Sequence, residues 1–265
     1  MTPEALLAHI DHGCLWPNAP GEVGGSDLAA AYAQSLEVRR MRIARGERPA
    51  GYKVGFTNRL IWERYNVYAP IWGTVWNTTL QLCDGHDTLS IANTCQPRVE
   101  PEAVFGMRAT PKQGADLDAL FDAIDWVAPG LEIVQSHLPG WKFASGDAVA
   151  DNSLHARLLV GRRFPVRELA ASATELDRIL AQSTVELLKA DNVVESGRGA
   201  NVLDGPLRAL LHFLVELRRF PDAGDLQAGD VVTTGTWTDA WSIQPEETWT
   251  ARFSAPLGAL SVTLE

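Results

Sequence analysis

Two glutamates one residue apart, Glu100 and Glu102, interrupt the otherwise apolar stretch Val99-Glu100-Pro101-Glu102-Ala103-Val104-Phe105, which Arg98 precedes. In a strand, successive side chains point to opposite faces, so both carboxylates share one face. Val99, Ala103 and Phe105 fall on the other face, with Pro101 among them. Like charges this close repel, and neither is cheap to bury unpaired. A hard divalent cation is the simplest positive partner, because it prefers carboxylate oxygens. The same residues also fit a solvated edge strand, since Pro101 removes a ladder donor. A third acid tips the balance: Pro129-Gly130-Leu131-Glu132-Ile133-Val134 predicts a short strand with Glu132 opposed to Leu131 and Ile133. Three acidic side chains, each set in an apolar strand, favour a metal site.

Two further segments carry groups suited to proton transfer. Gly51-Tyr52-Lys53-Val54-Gly55-Phe56 alternates strictly, placing Lys53 opposite Tyr52, Val54 and Phe56. A lysine flanked by glycines can be approached closely by a ligand or another backbone, though an edge-strand surface lysine has the same pattern. His155 follows Ala150-Asp151-Asn152-Ser153-Leu154 and has a side chain that titrates near neutrality, but a lone histidine also serves structure. Val231-Val232-Thr233-Thr234-Gly235-Thr236 reads as a strand ending in a polar loop, and such loops often line sites.

The elements that position these groups are legible from caps and periodicity. Thr2 and Pro3 open a helix that Gly13 can stop. Ser26 is the expected cap of a second helix, with Leu28, Tyr32 and Leu36 as its apolar stripe. Arg39, Arg40, Arg42 and Arg45 crowd its end and read as a solvated helix terminus. Thr57 or Asn58 caps a short helix through about Tyr65, and Ile71-Trp76 continues as a loop or strand. Leu117, Leu120, Phe121 and Ile124 form a helical stripe between the paired glutamates and Glu132. A later helix carries Leu207, Leu210, Leu211, Leu214 and Leu217. The pattern turns strand-like from about Leu80, so the expected organisation is a helical N-terminal domain, 1–80, and a β-rich domain, 81–265.

Composition narrows the function classes. The 265 residues are 46% hydrophobic and 21% charged, ordinary for a globular chain. A formal net charge of −10 disfavours a polyanionic partner, so nucleic acid binding is not expected. No apolar run approaches a membrane span, and no signal peptide is read at the start. Cys14, Cys83 and Cys95 are few and lack metal-site spacing, which fits a reducing cytoplasm and packing roles for all three. Nine tryptophans, several near the polar motifs, allow an aromatic-walled pocket alongside their default core roles.

Taken in order, Gly51–Thr57, Pro97–Glu102, Glu132, Trp141-Lys142, Ala150-Asp151-Asn152 and Ala228–Thr236 resemble the 2-keto-4-pentenoate hydratase and 4-oxalocrotonate decarboxylase branch of the fumarylacetoacetate hydrolase superfamily. The agreement runs from the second helix to the C-terminus. The resemblance implies an α+β fold, with a helical N-terminal part followed by a mixed β-roll. It implies Mg²⁺ or Mn²⁺ held by Glu100, Glu102 and Glu132, with Lys53 in proton transfer or substrate binding. Lys142, Thr236 and Trp72 are candidate substrate-binding residues, and Trp76 and Trp141 candidate walls. Family members act on small anionic 2-oxo acids, whose carboxylate and keto oxygen chelate the metal. The leading expectation is a metal-dependent hydratase, with decarboxylation, acylpyruvate hydrolysis or a non-catalytic binder as alternatives. Apolar N-terminal helices suggest a homo-oligomer. The chain departs from the family where Ile71 replaces the aspartate usually assigned to acid–base work, and where Ser153-Leu154-His155 replace small residues. The proton relay is then expected to rest on Lys53, with His155 as a second catalytic candidate whose pKa suits the task.

Overall fold

Thr2 begins the first helix as its sequence asks. In the computed structural model, which describes residues 1–265, its hydroxyl accepts the Ala5 N–H at 3.3 Å. Helix α1 (Pro3–His12) then stops at Gly13 in the left-handed conformation, φ 60°. Helix α2 (Leu28–Ala44) is capped by Asp27 rather than Ser26. The Asp27 carboxylate accepts the N–H groups of Ala29 and Ala30, a charged acceptor at the positive end of the dipole. The arginine-rich end is also unlike the expectation. Val38 and Arg42, one turn apart, extend the buried stripe, and Arg42 is only 7% exposed. Its guanidinium lies 4.4 Å over Trp76 and is 2.5 Å from Glu47 Oε2, while Arg45 pairs with Asp11 and Glu47. The terminus is therefore docked, because Trp76 offers a cation–π face that no count of arginines reveals.

Fourteen strands form two sheets. The first contains β1 (Pro49–Gly55), β2 (Ile71–Trp76), β3 (Leu80–Leu82), β5 (Arg98–Met107), β6 (Ile124–Val134), β7 (His155–Val160) and β11 (Val231–Thr233), ordered β2-β1-β11-β5-β6-β7-β3. The short strands β8 (Phe164–Pro165) and β12 (Trp241–Ser242) attach to β6 and β5. The second sheet runs β10 (Asn192–Arg198), β9 (Thr184–Lys189), β13 (Thr248–Phe253), β14 (Ala259–Leu264), β4 (His86–Leu89). Parallel pairs β1·β11, β3·β7 and β14·β4 among antiparallel ones make both sheets mixed, in an α+β fold. The helices that complete it are α3 (Trp62–Tyr65), α4 (Leu117–Ala123), α5 (Ser145–Ala150), α6 (Val166–Leu169), α7 (Ala173–Gln182) and α8 (Pro206–Leu217). Strands β1 and β2 precede residue 80 yet hydrogen-bond into the sheet that carries β5 and β6, so this sheet spans the expected boundary.

Neither chemistry-bearing strand lies at an edge. β1 is flanked by β2 and β11, and β5 by β6 and β11. Pro101 is tolerated inside β5 because β11 pairs with Val104–Gly106 and β12 with Arg98–Val99, leaving a gap between them. There the Pro101 carbonyl accepts the Trp237 N–H at 3.1 Å, and no partner needs the missing amide. The main core packs Val99, Ala103 and Phe105 with Ile133, Leu187, Phe213 and Trp249, and α8 buries Leu207, Leu210, Leu214 and Leu217 against it. Leu211 only borders this core. Cys95 is buried and Cys83 packs partly, but Cys14 is exposed, against the packing role expected of it. No helix is long and apolar enough to cross a membrane.

Glu47 ties α2 to the first sheet. Burial raises its pKa, but hydrogen bonds from Arg42, Thr78 and Arg45 outweigh this and bring it from 4.5 to about 2. Since the folded-state pKa is depressed, the stabilisation is complete above 4.5 and is lost as pH falls toward 2. Glu47→Gln is predicted to cost about 1–2 kcal/mol at pH 7 after solvent screening, and to flatten the acid limb of stability. Urea unfolding at pH 7 and pH 3 checks both; an equal cost at the two values would refute it.

Candidate metal centre and the cavity above it

The β5·β6 register sets Glu100 directly opposite Glu132, and Glu102 opposite Gly130. Alternation on β5 and pairing across to β6 thus bring three carboxylates to one face. One oxygen from each lies within 4.8 Å of the others. Glu102 and Glu132 are fully buried, whereas Glu100 is half-buried and opens into a cavity. Glu102 is held from β11: its Oε2 accepts the Thr234 N–H at 3.0 Å and the Gly235 N–H at 2.6 Å. Gly235 has φ 95°, and a Cβ there would lie 1.8 Å from Thr57 Oγ1, so only glycine fits.

Lys53 arrives from β1, with Nζ 3.3 Å from Glu132 Oε2. The glycine before it does what the sequence suggested. A Cβ on Gly51 would meet Val231 O at 1.8 Å, so its absence lets β11 pair with β1.

The donor set fits a hard divalent ion. Glu102 Oε1 and Glu132 Oε2 are buried with no hydrogen-bond partner, an arrangement that is costly unless a cation completes it. Burial pushes Glu100 and Glu132 up to about 7, against the pull of Lys53, and holds Glu102 well above the carboxylate range. For Lys53, burial works downward, but Glu132, Glu100 and Glu102 outweigh it and its pKa is raised. A cation among the carboxylates reverses the sign of that neighbourhood.

The cavity above the carboxylates encloses about 300 Å³. Phe56, Tyr65, Phe143 and Trp141 form a continuous aromatic wall, with successive centroids 4.8, 5.4 and 6.2 Å apart. Lys53, Glu100 and Thr236 line it, as does Ile71. Four expected residues do not. Trp72 stacks on Tyr32 at 4.6 Å in the core, because Ile71 takes the cavity-facing position on β2 and its neighbour must face away. Lys142 is exposed in an adjoining hollow that shares Tyr65, Trp141 and Phe143 with the cavity. His155 lies behind the carboxylates, with Nδ1 2.8 Å from Glu132 Oε1 and Nε2 2.8 Å from Thr79 Oγ1. Burial, then Lys53, Arg42 and Arg157, push its pKa well below 6.5, so it is a neutral ring rather than the near-neutral relay expected of it. Trp76 lies under Arg42, and of the candidate walls only Trp141 serves.

Sequence reasoning missed Arg98, Tyr65, Phe143 and Ser153 as cavity residues. Arg98 had a signal: alternation puts it on the Glu100 face, where its guanidinium lies 4.2 Å from the Trp141 ring. The Asp151-Asn152 pair proves to be scaffolding for this wall. Asp151 accepts from the His137 N–H and holds the His137 ring at 2.7 Å. Asn152 grips both the N–H and C=O of Thr74, at 2.8 and 3.0 Å. The next residue, Ser153, presents a buried, unpartnered hydroxyl from a left-handed run of three residues.

Mixed sheets cradle a buried carboxylate triad whose donor set suits a divalent metal ion. A fumarylacetoacetate hydrolase family protein from Yersinia pestis shares this fold with a TM-score of 0.56 at 17% identity, over 81% of this chain and 92% of its own. No family model matches the chain. A 2-hydroxyhexa-2,4-dienoate hydratase of Comamonas testosteroni is 30% identical over 208 residues, 78% of this chain and 75% of that one. The solved 4-oxalocrotonate decarboxylase of Pseudomonas putida G7, complexed with magnesium and adipate, superposes with a TM-score of 0.81 at 29% identity, covering 100% and 99% of the two chains. The protein belongs to the family of the 2-keto-4-pentenoate hydratases and 4-oxalocrotonate decarboxylases.

Raised carboxylate values have a sign that can be checked. Groups at 4.5 unfolded and about 7 folded destabilise the metal-free fold as pH rises through that window. In chelator, Tm is predicted to fall between pH 5 and about 7.5, and added Mn²⁺ to raise Tm more at the higher pH, since binding displaces protons. A Tm increment independent of pH would contradict this.

Proposed function

We propose that this protein is a divalent-metal-dependent lyase that hydrates a 2-hydroxy-2,4-dienoate, the enol of a 2-keto-4-enoate, in the breakdown of aromatic compounds. The observation that carries the reading is the triad itself, three carboxylate oxygens within 4.8 Å with Lys53 beside them at the foot of a cavity. The named hydratase relatives support the substrate class. Glu100, Glu102 and Glu132 would hold the divalent ion, which would supply Lewis acidity to a bound 2-oxo acid.

The protein's own groups do the rest. Ketonisation moves a proton from the enol oxygen to the far end of the diene, and Lys53 is the group placed to carry it. Water then adds across the double bond left in conjugation with the keto group, its hydroxyl on C4 and its proton on C3. Thr236 lines the cavity with its hydroxyl held by the Thr238 C=O and N–H, and Phe56, Tyr65 and Trp141 enclose the tail of the bound acid. Ile71 puts a hydrocarbon where the family resemblance implies an aspartate, which leaves Lys53, 3.3 Å from Glu132, as the amine beside the triad. The assignment extends to a homo-oligomer in the cytoplasm, supported by three free cysteines and by exposed Leu15 and Ile43 in the N-terminal part.

A second reading, decarboxylation of a 2-oxo diacid, is favoured by Arg98. It stands on the Glu100 face of β5, about 7 Å further along the strand, and its Nε is buried without a partner. A distal carboxylate would complete it.

One assay panel separates these. A dienoate, an oxo diacid and an acylpyruvate are each offered with Mg²⁺ and with chelator; Mg²⁺-dependent loss of the dienoate is expected, and no turnover of any would overturn the enzymatic reading. Lys53→Met is predicted to lower kcat by about 10²- to 10⁴-fold while Mn²⁺ still binds; an unchanged kcat removes Lys53 from the chemistry. Arg98→Met is predicted to raise KM for the diacid by about tenfold or more and to leave the dienoate unaffected. Equal effects on both would dismiss a distal carboxylate.

A further inference from the structure

His155 occupies a position where the family resemblance calls for a small residue, and it touches a metal ligand from the side away from the cavity. It is the first residue of β7, paired with Val134 beside an irregularity in the β6·β7 ladder. The ring and Glu132 are both buried, so neither can exchange its partner for bulk water.

The hydrogen bonds around the ring fix its tautomer. Thr79 Oγ1 accepts the Trp76 N–H at 3.0 Å, leaving its own proton to donate. The nearest acceptor is His155 Nε2 at 2.8 Å, against 3.3 Å to the Trp76 carbonyl. Nε2 therefore accepts, and Nδ1–H donates to Glu132 Oε1. Glu132 Oε2 stays 3.3 Å from Lys53 Nζ and has no hydrogen-bond partner. On that second oxygen the only cation in reach is Lys53. Freed from the ring, this carboxylate would turn both oxygens toward Lys53, because a buried ion pair gains most from close contact.

We propose that His155, tethered by Thr79, is a positioning residue that fixes the Glu132 rotamer, keeping Oε2 available to the cation and keeping Lys53 from pairing with both carboxylate oxygens at once. The proposal rests on the metal centre described above and adds a role for a residue of this chain that is not itself a ligand. Outer-shell partners of this kind change metal affinity by about 10- to 100-fold when removed.

The test is Mn²⁺ affinity, read from the free-ion electron paramagnetic resonance signal, with circular dichroism to confirm folding. His155→Leu is expected to weaken binding by about 10- to 100-fold. His155→Asn, whose side-chain amide nitrogen lies near the place of Nδ1, is expected to restore most of it. Thr79→Val, a near-isosteric change, keeps the test open if His155→Leu does not fold, and should weaken binding in the same direction. Adding Lys53→Met to His155→Leu should recover part of the affinity, because the competitor for Glu132 is gone; a merely structural loss would show no such coupling. Wild-type affinity in folded His155→Leu, or no recovery in the double variant, overturns the positioning role alone. A wild-type protein that binds no Mn²⁺ overturns the metal centre, and the proposal with it.

Discussion

Three crowded carboxylates, two of them sealed from water, are the constraint on which the rest of this structure depends. Glu102 and Glu132 are fully buried; Glu102 keeps an oxygen with no hydrogen-bond partner, and Glu132 Oε2 has only Lys53, at 3.3 Å. Folding alone would not retain such an arrangement, since an apolar substitute of similar volume would serve the core as well or better. The surrounding elements make sense as supports for it: the β5·β6 register aims the acids, the Thr234 and Gly235 amides brace one of them, and Lys53 offsets part of the charge. A protein of net charge −10 can take up an anionic acid only where a local positive centre outweighs the global field.

That Glu100 and Glu102 share one face was legible in the sequence because strand alternation is a rule of covalent geometry. Once Glu100 and Glu102 were placed in a strand, no packing detail could separate their faces. Caps at Thr2 and Asn58 were legible for a similar reason, being set by side chains within a few residues of the helix start. Failures came where the deciding partner is distant in sequence. Arg42 looked like solvated decoration because Trp76 lies well along the chain on a different element. Pro101 and Lys53 left an edge reading open because the strand that encloses both, β11, lies far toward the C-terminus.

Trp72 and His155 show a subtler limit. Both are near the site in sequence and in space, and both face the wrong way for the roles expected of them. For Trp72, alternation on β2 sends Ile71 to the cavity, so a residue chosen for its type was defeated by its parity. His155 lies against a site residue but on its far side, and a residue pattern says which groups meet more readily than which side they meet from.

The break in pairing along β5 has a consequence of its own. Between the end of β11 and the start of β12 the chain leaves the ladder, contributes Thr236, Trp237, Thr238, Asp239 and Ala240 to the cavity, and returns. One end of that excursion is clamped on Glu102 and the other is stitched to Val99, so its middle can be rewritten while both anchor points stay where they are. The fold thereby uncouples its grip on an ion from the shape of the room the ion looks into. A lineage could remodel that room for new guests and never disturb the fixture at its floor.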